Sequence, residues 1–87
     1  MVLEGNYIGF NFAGRNLSNF VLKGNFTGAD FTGASLTNAD LRGGKFVGAD
    51  FTRANLRGAK LPIGFERQVD NPVELSLPDA ANVDNAG

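Results

Sequence analysis

Large apolar residues recur at every fifth position from Phe26 onward: Phe26, Phe31, Leu36, Leu41, Phe46, Phe51, Leu56 and Leu61. Tyr7, Phe12, Leu17 and Leu22 keep the same step upstream. Between Leu22 and Phe26 the step is four, so one residue is missing near Lys23 and Gly24. A step of five suits neither common element. An amphipathic helix places apolar residues three and four apart, and a half-buried strand alternates every two. The many interior glycines oppose long helices further, since each costs about 1 kcal/mol relative to alanine.

A second, longer period lies over the first. Residues 24–43 and 44–63 align as copies, and 5–23 aligns more loosely. The first column of the alignment reads Tyr7, Phe26, Phe46, and the second Phe12, Phe31, Phe51. The third reads Leu17, Leu36, Leu56, and the fourth Leu22, Leu41, Leu61. Aromatic stands over aromatic and leucine over leucine, which a plain five-residue repeat does not require. Two positions before the large residue stands a small one: Gly5, Gly24 and Gly44 in the first column and, in the second and third copies, Ala29, Ala34, Ala39, Ala49, Ala54 and Ala59 in the others. This pattern suits a chain that turns a corner every five residues and returns above itself after four corners. The passes would then lie about 4.8 Å apart, the spacing of hydrogen-bonded strands. The twelve column residues are the predicted core.

The runs ADFTG, ASLTN, ADLRG, ADFTR, ANLRG and AKLPI resemble pentapeptide-repeat proteins, in which Ala, Asp or Asn, and Leu or Phe precede two variable residues. The resemblance covers about residues 5–63. It implies an all-β fold, a right-handed quadrilateral β-helix (a β-solenoid) of about three coils, 5–23, 24–43 and 44–63, with a short non-repeat C-terminal tail. The first coil departs from the pattern, because Phe10, Arg15 and Phe20 stand where the family has alanine. A bulky residue has room there only at the open end of the stack. Phe10 and Phe20 therefore read as a plug over the end of the core, with the head of Arg15 in solvent and its stem across the plug.

The Asn and Asp residues beside the core positions (Asn6, Asn11, Asn16, Asn25, Asp30, Asp40, Asp50, Asn55) suit turns, because their side chains bond nearby backbone N–H groups. Asp30 and Asp50 share a column as members of the repeat, not as a catalytic pair. Asp40 aligns with Lys60 as a surface pair of little energetic weight. Thr27, Thr32, Thr37 and Thr52 fall on different sides of the coil, so they read as solvated β-surface and not as an ice-binding array.

Residues 1–4 read as a short lead-in, with Met1 and Leu3 placed to fold over the first coil. Pro62 ends the repeat. In residues 64–87, a C-terminal cap or flexible tail, Phe65 is placed to cap the last coil. Residues 73–77, Val-Glu-Leu-Ser-Leu, alternate between Pro72 and Pro78 and read as a short strand. The exposed edge of a solenoid invites pairing. The tail thus covers its own end or pairs with another chain.

With 87 residues the chain makes one small domain. It has no cysteine and no histidine. Disulfides, thiolate chemistry and a nucleophile–histidine pair are therefore excluded. No P-loop or G-x-G-x-x-G segment occurs. The expectation is no enzyme, no cofactor and no metal. Net charge is −1. That argues against nucleic-acid and membrane partners. Neither a secretory signal nor a membrane span is visible, which sets the cytoplasm as the expected compartment. The reading is a scaffold for protein–protein interaction, using a protein partner or self-association through the coil ends or the tail. The family resemblance offers an alternative, a DNA mimic that modulates type II topoisomerases such as DNA gyrase. Those proteins are longer, dimeric, strongly acidic rods, whereas DNA carries one charge per about 1.7 Å.

Overall fold

The structure is a computed structural model and describes residues 1–69. Three strands, β1 (Val2–Asn6), β2 (Val21–Asn25) and β3 (Asp40–Lys45), form a parallel sheet in the order β1-β2-β3. Parallel neighbours usually need a crossover of a dozen or more residues, most often a helix. Here the crossover is the stack itself. Between the strands the chain makes isolated parallel bridges: Asn11 to Asp30 and on to Asp50, Asn16 to Ser35 and on to Asn55, and Asp40 to Lys60. Each pass therefore lies against the next along its whole circuit. The architecture is a β-helix.

Corners form by the same local device each time. The alanine N–H after each core residue bonds back three positions, as in Ala29 to the Phe26 carbonyl, Ala34 to Phe31 and Ala39 to Leu36, all at 3.0 Å. These are closed β-turns. The Asn or Asp before the core residue accepts a hydrogen bond from the N–H two residues on. This holds at all eight positions named from the sequence, from Asn6 with Ile8 at 3.2 Å to Asn55 with Arg57 at 3.0 Å. The turn needs a left-handed residue, usually glycine. Asn19, Asn38 and Arg53 hold it at φ 66°, 61° and 59°. Asparagine tolerates that region; for arginine it is uncommon.

Passes then knit in both directions. Phe12 N–H donates upward to the Asp30 carbonyl at 2.7 Å, and Asp30 N–H donates downward to Phe10 at 2.8 Å. The register is 19 residues between the first two passes, as in Gly5 with Gly24, and becomes 20 afterwards, as in Gly24 with Gly44. The change falls between Val21 and Lys23, where the sequence lacks one residue. Gly24 cannot carry a side chain: its φ is +123°, and a Cβ would overlap the Gly5 carbonyl oxygen.

Nine of the twelve predicted core residues are buried: Leu17, Leu22, Phe26, Phe31, Leu36, Leu41, Phe46, Phe51 and Leu56. The inward alanines, from Ala29 to Ala59, are buried with them. Tyr7, Phe12 and Leu61 pack against the core but are only partly covered. Each belongs to a terminal pass, where one neighbour is missing.

Three features differ from expectation. Residues 1–4 are no lead-in: Val2, Leu3 and Glu4 pair with Val21, Leu22 and Lys23 as part of β1. Backbone hydrogen bonding along that edge outweighs folding over the end. A one-turn helix, α1 (Phe65–Gln68), follows the repeat, where only a cap or tail was anticipated. Asp40 bridges Lys60 through the backbone, but its carboxylate pairs with Arg42, two residues away, at 2.9 Å. The strand assigned to residues 73–77 lies outside the described residues.

Candidate interaction surface

Two aromatic ladders run up the core, because the aromatic columns of the sequence lie one pass apart. Tyr7, Phe26 and Phe46 stack with centroids 5.1 and 5.2 Å apart and planes within 13°. Phe12, Phe31 and Phe51 stack at 5.0 and 4.7 Å. These spacings match the strand separation, so ring stacking and backbone pairing reinforce each other.

The two ends of the ladders are finished differently. At the C-terminal end Phe65 lies edge-on to both top rings, 5.8 Å from Phe46 and 5.0 Å from Phe51, and is 1% exposed. Gly64 begins α1 in the left-handed region, and Val69 closes it, buried. Gln68 completes the cap. Its side-chain oxygen accepts from Phe46 N–H at 2.8 Å, and its backbone carbonyl accepts from Gly48 N–H at 2.7 Å. These two N–H groups would otherwise have bonded a further pass.

At the N-terminal end Phe10 lies edge-on to Tyr7 at 5.1 Å and beside Phe12 at 6.1 Å. It is nevertheless 50% exposed. Phe20 is partly buried against the core, and Arg15 is exposed. In the same pass Met1, Val2 and Ile8 are exposed at 84%, 55% and 53%. The backbone is open as well. In the second pass the carbonyls of Thr27, Asp30, Thr32, Ser35 and Thr37 accept from the pass below; the equivalent carbonyls of Ile8, Asn11, Ala13, Asn16 and Ser18 have no partner among the described residues. This pass combines exposed apolar side chains with a strand edge ready for pairing.

The sequence singled out Phe10, Phe20 and Phe65, and the structure separates them, with Phe65 at one end and the other two at the opposite one. It missed Val2 and Ile8. Their signal was an apolar residue at an outward position of the pentad. Gln68 carried no signal, because its role depends on where α1 lands.

Charge is spread unevenly. Among the described residues the single ion pair is bidentate, Arg42 to Asp40 at 2.9 and 3.0 Å. The Arg42 guanidinium holds the Asp40 carboxyl well below the usual carboxylate range, at about 2. Asp30 is also lowered, by the Thr32 hydroxyl and then the Thr32 N–H. No group of three potential metal ligands occurs among the described residues. No helix of the described residues is long and apolar enough to cross a membrane.

The family model for pentapeptide repeats matches eight copies, over residues 9–46 and 25–61. No curated protein matches the chain. A similar solved structure is that of a pentapeptide repeat protein from the Arabidopsis thaliana thylakoid lumen, 33% identical, covering 67% of this chain with a TM-score of 0.32. This chain spans 48% of that protein's length.

Proposed function

The chain belongs to the pentapeptide-repeat family, and from that premise we propose that it is a non-catalytic scaffold that binds a protein partner through its N-terminal end. The rod is a right-handed quadrilateral β-helix of three coils, the four bridge columns forming its four sides. The handedness comes from the family. Four columns of bridged residues, three of them with three members and one with four (Val2, Val21, Asp40 and Lys60), support the side and coil count.

One observation carries the docking proposal: Met1, Val2, Ile8 and Phe10, all in the first pass, are each exposed, and the carbonyls of Ile8, Asn11, Ala13, Asn16 and Ser18 on that pass have no partner among the described residues. A partner contributing a strand would satisfy the carbonyls and cover the rings at once. Self-association of two N-terminal ends uses the same chemistry. The DNA-mimic reading finds no support in the charge distribution, since residues 1–69 carry all eight Lys and Arg and only five of the nine acidic residues.

A photo-crosslinking residue tests the assignment. It is placed at Ile8 on the end, and at Thr37 on a side as a control, with the protein in its native cells. The expected result is one discrete crosslinked protein, or a dimer of this chain, from position 8 and none from position 37. Equal crosslinking from both positions, or none from position 8, would sink it.

A further inference from the structure

β1 is the outer strand of its sheet, and among the described residues it pairs with β2 alone. The Val21 N–H donates to the Met1 carbonyl at 2.9 Å. Backbone groups alternate along a strand. Met1, Leu3 and Gly5 therefore face β2, while the N–H and C=O of Val2 and Glu4 face away from it. The rest of the N-terminal end is different. Ile8, Ala13 and Ser18 offer carbonyls alone there, because their N–H groups are held by the side chains of Asn6, Asn11 and Asn16. Two rows of acceptors cannot bond each other. Val2 and Glu4 each present a donor and an acceptor. An edge of that kind is its own complement when a second copy meets it antiparallel across a two-fold axis.

The side chains choose the register. Glu4 opposite Glu4 sets like charges against each other, and Gly5 opposite Gly5 offers no side-chain contact. With Leu3 at the axis, Val2 falls opposite Glu4 and Met1 opposite Gly5. Leu3 is in register with the fully buried Leu22 but is itself only partly covered. The axis sets a second Leu3 against its open side.

The plug fits the same arrangement. β1 lies one pass below β2, so the sides built on Tyr7, Phe12 and Leu17 begin farther from the partner. When two β1 strands meet at about 4.8 Å, these sides of the two copies stand about twice as far apart, with room for a layer of side chains. Alanine, which holds the equivalent positions at Ala29, Ala34 and Ala39 in the next pass, would leave that layer empty. Phe10, Arg15 and Phe20 fill it. The axis also carries the turn bearing Phe10 onto the turn bearing Arg15 of the second copy, and the reverse. Each exposed guanidinium meets a half-exposed ring and brings N–H donors to the row of carbonyls. The smallest face bounding the molecule measures 24 × 22 Å. Two such ends in contact bury on the order of 1,000 Å², the lower limit for a specific interface.

We propose that two copies of this chain join at their N-terminal ends, β1 pairing antiparallel with β1 about a two-fold axis at Leu3, with Phe10, Arg15 and Phe20 of both copies filling the layer between. This rests on the assignment of the N-terminal end as the docking surface and names its occupant. At dilutions that separate the copies, Phe10 is again half exposed, so its contribution to the single chain stays small.

Light scattering and engineered cysteines test this on the full chain. At about 100 µM, well above micromolar dissociation constants, the expected wild-type mass is that of a dimer. Glu4→Pro removes an N–H that faces away from β2, so circular dichroism is unchanged while dimer affinity falls at least about tenfold. Arg15→Glu weakens the dimer about tenfold through the lost ring contact. The chain has no cysteine. Leu3→Cys therefore links two copies under mild oxidation, its Cα atoms about 4.5 Å apart across the axis, and Glu4→Cys does not. The mass and the cysteine pair decide even where Glu4→Pro fails to fold. A monomeric wild-type chain, a dimer indifferent to a folded Glu4→Pro, or linkage at position 4 ahead of position 3 would overturn the proposal. A monomer whose position 8 still captures one different protein overturns it and leaves the N-terminal docking surface standing. A monomer with no capture at position 8 overturns both.

Discussion

Phe10 and Phe65 occupy corresponding places at opposite ends of the stack. Each lies against the last ring of both aromatic ladders, yet Phe65 is 1% exposed and Phe10 is 50% exposed. The rings are chemically identical, so the difference lies in the backbone. Phe10 extends from within the first pass, at the position where later passes carry Ala29 and Ala49, and no segment of the described residues lies beyond it. Phe65 comes from a segment that has crossed over the end, tied by its N–H to the Pro62 carbonyl at 3.1 Å and by Gln68 to Phe46 and Gly48. A side chain fills the mouth of such a core, but only a segment of backbone covers it and also satisfies the exposed edge.

The comparison is open to direct challenge. Leu36→Arg, in the pass between the ends, has the largest effect. It buries an unpaired charge at a cost of several kcal/mol, and far-UV circular dichroism should show loss of the fold. Neither end compensates for it. Phe65→Ala should cost about 3 kcal/mol in urea unfolding, in the range for a buried phenylalanine. Gln68→Ala should cost about 1–2 kcal/mol, because Phe46 N–H is left without its acceptor. Phe10→Ala should cost about 0.5 kcal/mol or less, as for other exposed positions. If Phe10→Ala proves as costly as Phe65→Ala, the two ends are equally closed and the N-terminal docking surface is lost with the contrast.

Asp40 provides a control that belongs to neither end. Its carboxyl is depressed to about 2, below the ordinary aspartate value, by the hydrogen bond from Arg42. The stabilisation is therefore present above the unfolded value and is lost as pH falls through about 2. Melting temperatures between pH 4 and pH 2 should fall less steeply for Asp40→Asn than for the wild type. The difference corresponds to about 1 kcal/mol or less, as for other surface pairs.

The core was legible in the sequence because the five-residue step and the sorting into columns state which residues face inward and which lie above one another. The turn residues were legible because their bonds span two positions. The pairing of residues 1–4 was legible too, though it was read as a lead-in: Val2-Leu3-Glu4-Gly5-Asn6 repeats Val21-Leu22-Lys23-Gly24-Asn25, and that likeness is the β1–β2 register. The helix α1 was not legible. A single turn has too little intrinsic stability to announce itself by propensity, and its position depends on Phe65 and Gln68 reaching the end of the stack. The closer partner of Asp40 was missed: alignment places Lys60 beside it in the next pass, where Lys60 does favour the carboxylate, while Arg42 reaches that carboxylate from two residues away.

The sorted ladders also restrict how such a rod can change length. If all pentads were alike, one could be removed and the remainder would still stack. Here, removal of a single pentad sets phenylalanine against leucine where the passes above the cut meet the pass below it, and both the stacking and the fit are lost at that junction. Removal or addition of twenty residues leaves ring upon ring. The rings thus act as a count kept within the core, permitting growth by whole circuits and penalising every other increment.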